Sequence, residues 1–410
     1  MPEQKGIRVK VLIFEDEVAG ELSPLSLSRP VFTVGCGALS LYEAALRVFG
    51  GPVFWEARPF LEGYCRAELT SARFTGGETL FLNARVLPSL PGLEKLKVAV
   101  EKGQPLCLRR GGDLAAACLK ADDAALGMRQ AAQMAPAGEE VPEIELWKSP
   151  VDLVRAHARL LAGNLAVLVA GRDRLGPNTY IGPGVKVSRS AVFEDEGGTI
   201  LLDEGAEVRA LACLRGPAYV GRRALVLEHA FIREHSSIGE RCKVGGEIDA
   251  CNMEPYSNKQ HQGFLGHSYV GSWVNIGAGT SNSDLKNTYG EVSVRLQGRK
   301  VPTGTQFFGC VIGDYAKTAI NTSLFTGKIV GVSSHIYGVV SENVPSFCNY
   351  AKSMGGAVSS FDLEVALRIQ ERMFLRRGLA ARECHKRLLR HAFEATAGER
   401  GGMPSGLLTF

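Results

Sequence analysis

From Leu202 to Val244 an aliphatic residue recurs at every sixth position: Leu202, Val208, Leu214, Val220, Val226, Ile232, Ile238 and Val244. A small residue follows four places after each until the series ends: Ala206, Ala212, Ala218, Ala224, Ala230, Ser236 and Cys242. A period of six fits neither a helix at 3.6 nor an alternating strand. It predicts a hexapeptide β-helix, a solenoid whose stacked turns bury one continuous core. The aliphatic residue fills the interior and the small one fits where the chain bends. After a slip of two residues the pattern resumes at Phe264, Val270 and Ile276, with Gly271 and Gly277 following the last two. It returns at Ile312, Thr318, Leu324, Val330 and Ile336. Residues 281–305 break the phase and read as a loop thrown out of the coil, on a face that solenoids often use for binding.

The rest of the 410 residues leaves room for further domains. Residues 9–14, 52–55, 79–83 and 106–108 are strand candidates, and 38–48 reads as a helix, so an α/β domain is expected over residues 1–140. Residues 134–145 are rich in Pro, Gly and Glu and read as a linker. A helix follows, with Ser149 as N-cap, Pro150 at its first position and Gly163 as its stop. Residues 141–165 thus form a linker and connecting helix, 166–345 the solenoid and 346–410 a helical end. In that end Ser359-Ser360 is expected to cap a helix through Arg377, with Phe361, Val365, Ile369 and Met373 on one face. A second, more basic helix is expected over 380–397, and the pair should cover an exposed coil edge.

Net charge is only +4, from 47 basic and 43 acidic residues, with no dense basic run. That speaks against a nucleic-acid partner. No apolar run reaches transmembrane length, so no membrane partner is expected. The start of the chain lacks the layout of a secretory signal, and the ten scattered cysteines read as reduced core fillers, so a cytoplasmic location is expected.

The densest polar constellation runs from Tyr256 to Asn287, YSNKQHQGFLGHSYVGSWVNIGAGTSNSDLKN. The solenoid interior is aliphatic, so these residues must face outward or a crevice. Turn chemistry explains the Asn and Gly residues. It does not explain why Lys259, His261 and Trp273 cluster with them.

Asn275-Ile276-Gly277-Ala278-Gly279-Thr280 and the stretch before it resemble the acetyltransferase half of the bacterial N-acetylglucosamine-1-phosphate uridyltransferase / glucosamine-1-phosphate N-acetyltransferase, a bifunctional enzyme of UDP-N-acetylglucosamine biosynthesis. The long YSNKQHxGFLGHSYxGxWVNxGAGTxNSDLKN motif, with Leu25-Ser26-Leu27-Ser28-Arg29-Pro30 and Leu82-Asn83-Ala84-Arg85-Val86-Leu87-Pro88, is similar to a divergent bacterial subfamily related to that enzyme. The resemblance implies a nucleotidyltransferase-like Rossmann-type α/β domain, then a left-handed parallel β-helix and C-terminal helices. It implies acetyl-CoA as cosubstrate, an amino-sugar phosphate and a nucleotide as small-molecule substrates, and a homotrimer. His261 falls on the catalytic histidine, Asn275 on a sugar-contacting asparagine, and Ala278 and Gly279 on the acetyl-CoA site. Arg215 or Lys259 is expected to hold the anionic end of the acceptor, backbone N–H groups of residues 275–280 the developing oxyanion, and the 281–305 loop is expected to close over the site. Three positions depart from the pattern. Phe264 replaces a tyrosine, Asp284 an asparagine, and Asp249 stands where a phosphate-binding lysine is expected. Asp284 is expected to orient His261 or the amine.

The N-terminal chemistry is thin. Nucleotidyltransferases follow the first strand with a glycine-rich, basic loop, whereas Phe14 here precedes Glu15-Asp16-Glu17. Carboxylates repel phosphate unless a metal intervenes. A magnesium-binding aspartate is replaced by Asn83, while Arg29 and Arg85 remain as possible phosphate donors. Mg2+ is expected only if this domain is active. Two alternatives stay open: nucleotidyl transfer in the N-terminal domain with a β-helix serving for trimerisation, and a non-catalytic trimeric scaffold. The pairs His229/His235 and His261/His267 are six apart, but the HxxxxH spacing of zinc-binding hexapeptide enzymes is missing, and no metal site is expected.

Overall fold

The structure is a computed structural model and describes residues 9–69, 74–103, 106–121 and 141–406. Most of the expected 134–145 linker lies outside the described residues. Contacts divide the chain into two units: one holds the segments up to Leu22, Arg29–Gly35 and Leu39–Ser149, the other Ser23–Ser28, Cys36–Ala38 and the chain from Pro150 onward.

The first unit is built on a five-stranded sheet in the order Val53–Glu56, Lys10–Phe14, Gly77–Asn83, Asp113–Ala121, Leu106–Arg110. The first three strands are parallel, and Asp113–Ala121 runs antiparallel to both of its neighbours. Val11–Phe14 is buried throughout, as a strand covered on both faces must be. The helix Leu41–Phe49 starts at Ser40, whose hydroxyl and Glu43 form a reciprocal capping box. The strand Asp113–Ala121 was not expected, because its alanines favour a helix. It forms because Gly111 and Gly112, both at positive φ, turn the chain tightly back on Leu106–Arg110.

The second unit is the expected parallel β-helix. Each regular coil contributes one strand to each of three faces. The first face runs Glu207–Val208, Leu225–Val226, Lys243–Val244, Asn258–Lys259, and continues through Asn275 to Lys317–Thr318, His335–Ile336 and Cys348–Tyr350. The second runs Val192–Glu194, Cys213–Arg215, Phe231–Ile232, Glu247–Asp249, Phe264–Gly266. The third is a nine-stranded sheet through Ile200–Leu202, Ala218–Val220, Ser236–Ile238, Asn252–Met253, Tyr269–Val270 and Cys310–Ile312. The six-residue series from Leu202 to Val244 is wholly buried, and so are its small partners from Ala206 to Cys242.

Several boundaries differ from expectation. The helix Pro150–Leu168 runs through Gly163. A mid-helix glycine costs about 1 kcal/mol relative to alanine. Continued burial of Leu165 and Leu168, and an Asn164 side chain that donates to the Gly37 carbonyl at 2.8 Å, offset it. Gly37 (φ +65) lies flat on this helix, where a Cβ would stand 2.6 Å from that of Leu160.

The phase break is narrower than 281–305. Ser281–Asn282 pairs in register with Ser323–Leu324 and belongs to the coil. The excursion beyond it forms an antiparallel hairpin, Ser293–Leu296 with Arg299–Pro302. The coil also continues past Val340, since Cys348–Tyr350 pairs in parallel with His335–Ile336.

At the C-terminal end Ser359–Ser360 is a strand, and Asp362 occupies the N-cap position of Leu363–Arg376. The buried face is Ala366, Leu367, Gln370 and Phe374, one residue off the expected stripe. This helix and Glu383–Ala395 do not seal an end. They lie along the corner where the third face turns into the first, against Val332 and Phe347, and Phe374 stacks on Trp273 at 4.3 Å. Trp273 stacks in turn on Tyr256 at 4.4 Å. Among the described residues no helix is long and apolar enough to cross a membrane.

Candidate functional site

Side chains alternate in a strand, so each strand of the second face turns its central residue inward and the flanking ones outward. Leu214, Ile232, Ile248 and Leu265 fill the core. Arg215, Glu247, Asp249, Phe264 and Gly266 therefore line the outer surface, with Arg233 just beyond its strand.

His261 sits on the corner between the first and second faces. Its side chain is exposed and, among the described residues, makes no hydrogen bond. Its carbonyl accepts from Lys259 Nζ at 2.8 Å. Lys259 is not on the surface. It takes the inward position of its strand, is 1% exposed, and also donates to the Gly245 carbonyl at 3.2 Å. Burial pushes its ammonium down to about 8. The expectation that Lys259 grips an anionic acceptor is therefore corrected: it anchors the loop that carries His261.

The residue 275–280 turn lies directly on that loop. Gly279 N–H donates to the Gln262 carbonyl at 3.0 Å, and its φ of +72 and the nearby Asn321 side chain exclude a Cβ. Most of the turn's amides are already used. Asn275 N–H bonds Ala316, Ile276 N–H bonds Asn258, Gly277 N–H bonds Thr318 Oγ1 and Thr280 N–H bonds Gly277. Only the Ala278 N–H has no acceptor among the described residues. The expected set of oxyanion donors thus reduces to one amide.

Asp284 does not reach His261. Its Oδ2 lies 2.7 Å from His267 Nδ1, at the opposite end of the second face. Gly266 makes this possible: a Cβ there would stand 2.4 Å from both Asp284 Oδ2 and the Phe264 ring. Phe307, where the excursion returns to the coil, stacks on His267 at 5.2 Å. The hairpin itself lies elsewhere. Gly304 rests against Arg155 and Val292 against Gly327, and Asn343 donates to the Arg295 carbonyl. The expected lid over His261 is therefore absent from this arrangement. The base of the excursion, Asp284 and Phe307, is what reaches the face.

One coil below, Arg233 Nη1 pairs with Asp249 Oδ2 at 3.1 Å and approaches Glu247 at 3.3 Å. Its buried Nε has no partner among the described residues. Burial raises the Asp249 carboxyl, against the pull of Arg233 and His267. Arg215 lies a further coil down, bonded to Glu194 at 2.6 Å beside a cavity of about 460 Å³ that Thr199, Glu234 and His235 also line. Arg233, not Arg215, thus stands nearest Phe264 and Asp284. Asn275 faces a different way: it sits on the first face, accepting from Asn258 Nδ2 at 3.4 Å. Within one chain the fold joins His261 with Ala278 and Gly279, and Phe264 with Asp284, and leaves Asn275 and Arg215 apart from the second pair.

Sequence reasoning did not give His267, Arg233 or Phe307 roles on this face. The usable signal was coil length. His267 stands 17 residues before Asp284 and Arg233 stands 16 before Asp249, each about one turn of the solenoid.

In the first unit the expected nucleotide contacts are engaged internally. Arg85 is fully buried, and its guanidinium bonds Asp16 at 2.6 Å, Asp113 at 2.8 Å and the Trp147 carbonyl at 3.2 Å. Asn83 is 1% exposed and donates to Asp16 and to the Leu114 carbonyl. Burial alone would raise the Asp16 carboxyl, but bonds from Arg85 and Asn83 hold it below its usual value. Glu15 is clamped by Arg58 at 3.0 Å and by the Val31 N–H. Arg29 is largely buried, and its carbonyl accepts from Arg58. A divalent cation does not fit here, because the carboxylates that would bind it already face a guanidinium and an amide stands where a third acid is needed.

The N-terminal part of this geometry carries a match to a family model. Residues 11–173 match the model described as sugar nucleotidyl transferase. Curated relatives include a bifunctional sugar-1-phosphate nucleotidylyltransferase/acetyltransferase of Sulfurisphaera tokodaii, 28% identical over 34% of this chain and 35% of that protein. The bifunctional protein GlmU of Methanococcus vannielii is 30% identical over 40% of this chain and 41% of that protein. The chain is a divergent relative of these bifunctional proteins and spans about two-fifths or less of their length. Among solved structures, the UDP-N-acetylglucosamine acyltransferase of Campylobacter jejuni aligns over 55% of this chain and 100% of its own, at 12% identity and a TM-score of 0.26.

Proposed function

We propose that the chain is a transferase whose β-helix moves an acetyl group from acetyl-CoA to an amino sugar, with His261 as general base. The observation that carries this reading is the corner itself. The 275–280 turn is bonded onto the His261 loop through Gly279 N–H and the Gln262 carbonyl, and Ala278 N–H, the turn's one amide without an acceptor among the described residues, is next to that bond in the chain. The name of the Sulfurisphaera tokodaii relative, which joins nucleotidyl transfer to acetyl transfer, points the same way.

In the step, His261 takes a proton from the acceptor amine, whose nitrogen then attacks the thioester carbonyl. The C–N bond forms, negative charge on the carbonyl oxygen falls to the Ala278 N–H, and the C–S bond breaks. The thiolate leaves and takes up the proton as free thiol. Phe264, Arg233 and the His267–Asp284 pair form the acceptor side of the face. Asn275 lies around the corner, so a neighbouring copy in a homotrimer would bring a first face against a second and complete the crevice. We further propose that the 1–140 domain keeps the nucleotidyltransferase fold as a nucleotide-binding or scaffolding element without its chemistry, since Arg85, Asn83 and Asp16 are committed to one another.

The test is thiol release from acetyl-CoA with glucosamine-1-phosphate and unphosphorylated amino sugars, for the wild type and His261→Ala. Loss of general-base help should lower kcat on the order of 10²–10⁴-fold with donor affinity nearly unchanged. Equal rates in the two proteins would remove His261 from the role.

A further inference from the structure

The first face carries an arrangement that the acyl-transfer reading does not use. Lys243 stands outward on it, in register with Asn258 in the next coil. The Leu363–Arg376 helix ends against this place, with Arg377 as its C-cap. Arg377 Nη2 donates to Asn258 Oδ1 at 2.7 Å and to the Tyr256 carbonyl at 3.5 Å. Among the described residues, Lys243, Arg376 and Arg377 have no carboxylate partner. The nearby acid, Glu240, is turned to Arg222 at 3.1 Å and Arg241 at 3.6 Å. Farther up the helix, Arg368 and Arg372 continue an exposed row with Arg376 at four-residue spacing that begins at Glu364, and Glu371 pairs with Lys386.

We propose that Lys243, Arg376 and Arg377 form an anion site that takes the phosphates of a nucleotide-bearing ligand. Cations at a helix C-terminus gain from its dipole, which accounts for Arg376 and Arg377 alone. It gives no reason for Lys243, from a different coil, to join them. Like charges at four-residue spacing work against a helix. The ammonium of Lys243 is held below its usual value by burial and then by the nearby charges of Arg377 and Arg376. Guanidinium forks match phosphate oxygens in pairs.

A small ligand fits better than a nucleic acid. The whole chain carries only +4, too little for a long polyanion. Lys243 pairs with Asn258, one strand spacing or about 5 Å away, and Asn258 belongs to the coil that turns at the His261 corner. Two ligands present this chemistry, the 3′-phosphoadenosine diphosphate end of an acyl-CoA and the diphosphate of a nucleotide sugar. The site stands whether or not acetyl transfer occurs.

The experiment is titration calorimetry on the full chain with adenosine 3′,5′-bisphosphate, UDP and inorganic phosphate, at low and high salt. Saturable binding of a nucleotide that weakens with salt is expected. Preference for the adenosine bisphosphate identifies the acyl donor, and preference for UDP a nucleotide sugar. The Lys243→Gln/Arg376→Gln double variant, both positions being at the surface, should melt as the wild type and bind roughly tenfold or more weakly. Arg377→Lys, which keeps the charge but loses the guanidinium fork, should bind more weakly than the wild type and more tightly than Arg377→Gln, and equal binding by all three would refute the site. The site is refuted if the wild type binds none of the three probes, if the double variant binds equally well, or if a duplex oligonucleotide binds where no mononucleotide does.

Discussion

Lys259 is the most testable consequence of the coil register. It fills an interior position whose neighbours in adjacent coils are Val244 and Ile276, and among the described residues its ammonium donates to the Gly245 and His261 carbonyls. Burial lowers it from 10.5 to about 8. At about 1.36 kcal/mol per unit, the charged form is disfavoured by about 3 kcal/mol relative to the unfolded chain. Between pH 8 and 10.5 the folded protein then binds fewer protons than the unfolded one, so stability rises with pH across that window. Lys317, also pushed down by burial to about 8, adds a comparable share. Lys259→Met replaces the ammonium with an apolar chain of similar length, a change that is often neutral or stabilising for buried charge. Denaturant unfolding of the β-helix, followed by circular dichroism, should show the wild-type rise from pH 8 to 10.5 roughly halved in the variant, with stability at pH 7 unchanged or higher. Acetylation should fall through kcat, because the His261 loop has lost its anchor. An unchanged pH slope would refute the inward placement of this side chain.

Arg85→Met should destabilise the first unit by about 3 kcal/mol, since it leaves Asp16 and Asp113 without their shared partner, and should leave any uridine-nucleotide affinity unchanged. Release of pyrophosphate from UTP and N-acetylglucosamine-1-phosphate should stay well under about 1 per second, and turnover at or above that rate would restore the nucleotidyl-transfer reading. His267→Asn and Asp284→Asn should each raise the amino-sugar KM with little change for acetyl-CoA. A fall in kcat alone, with the pH profile of the His261→Ala protein reproduced, would move the base to His267. Light scattering should give a trimer across the micromolar range, and a stable monomer would dissolve the crevice that joins Asn275 to the acceptor face.

The solenoid was legible because its interior accepts one kind of residue at one period, and Leu202 through Val244 meets that demand without exception. The outer surface was not legible in the same way. Which outward residues meet depends on coil length, and the coils differ: Val226 to Val244 spans 18 residues, Val244 to Lys259 only 15. That shortening disguised Lys259 as a surface residue and hid the stacking of Arg233 beneath Asp249. The excursion after Ser281 was visible as a loss of phase, but the direction of its hairpin was set by Arg155 and Asn343, far away in sequence. In the first unit, the acids Glu15 and Asp16 were legible but their internal partners Arg58 and Arg85 were not, and the fully buried Arg85 passed for a ligand contact because its two acids, Asp16 and Asp113, lie far from it in sequence.

The most direct measurement is mass spectrometry of the products after wild-type protein, acetyl-CoA and a panel of amino sugars are incubated together. The account predicts free coenzyme A and an N-acetylated sugar in equal amounts, dependent on His261. Hydrolysis of acetyl-CoA without an acetylated sugar, or no consumption of acetyl-CoA with any acceptor, would contradict it.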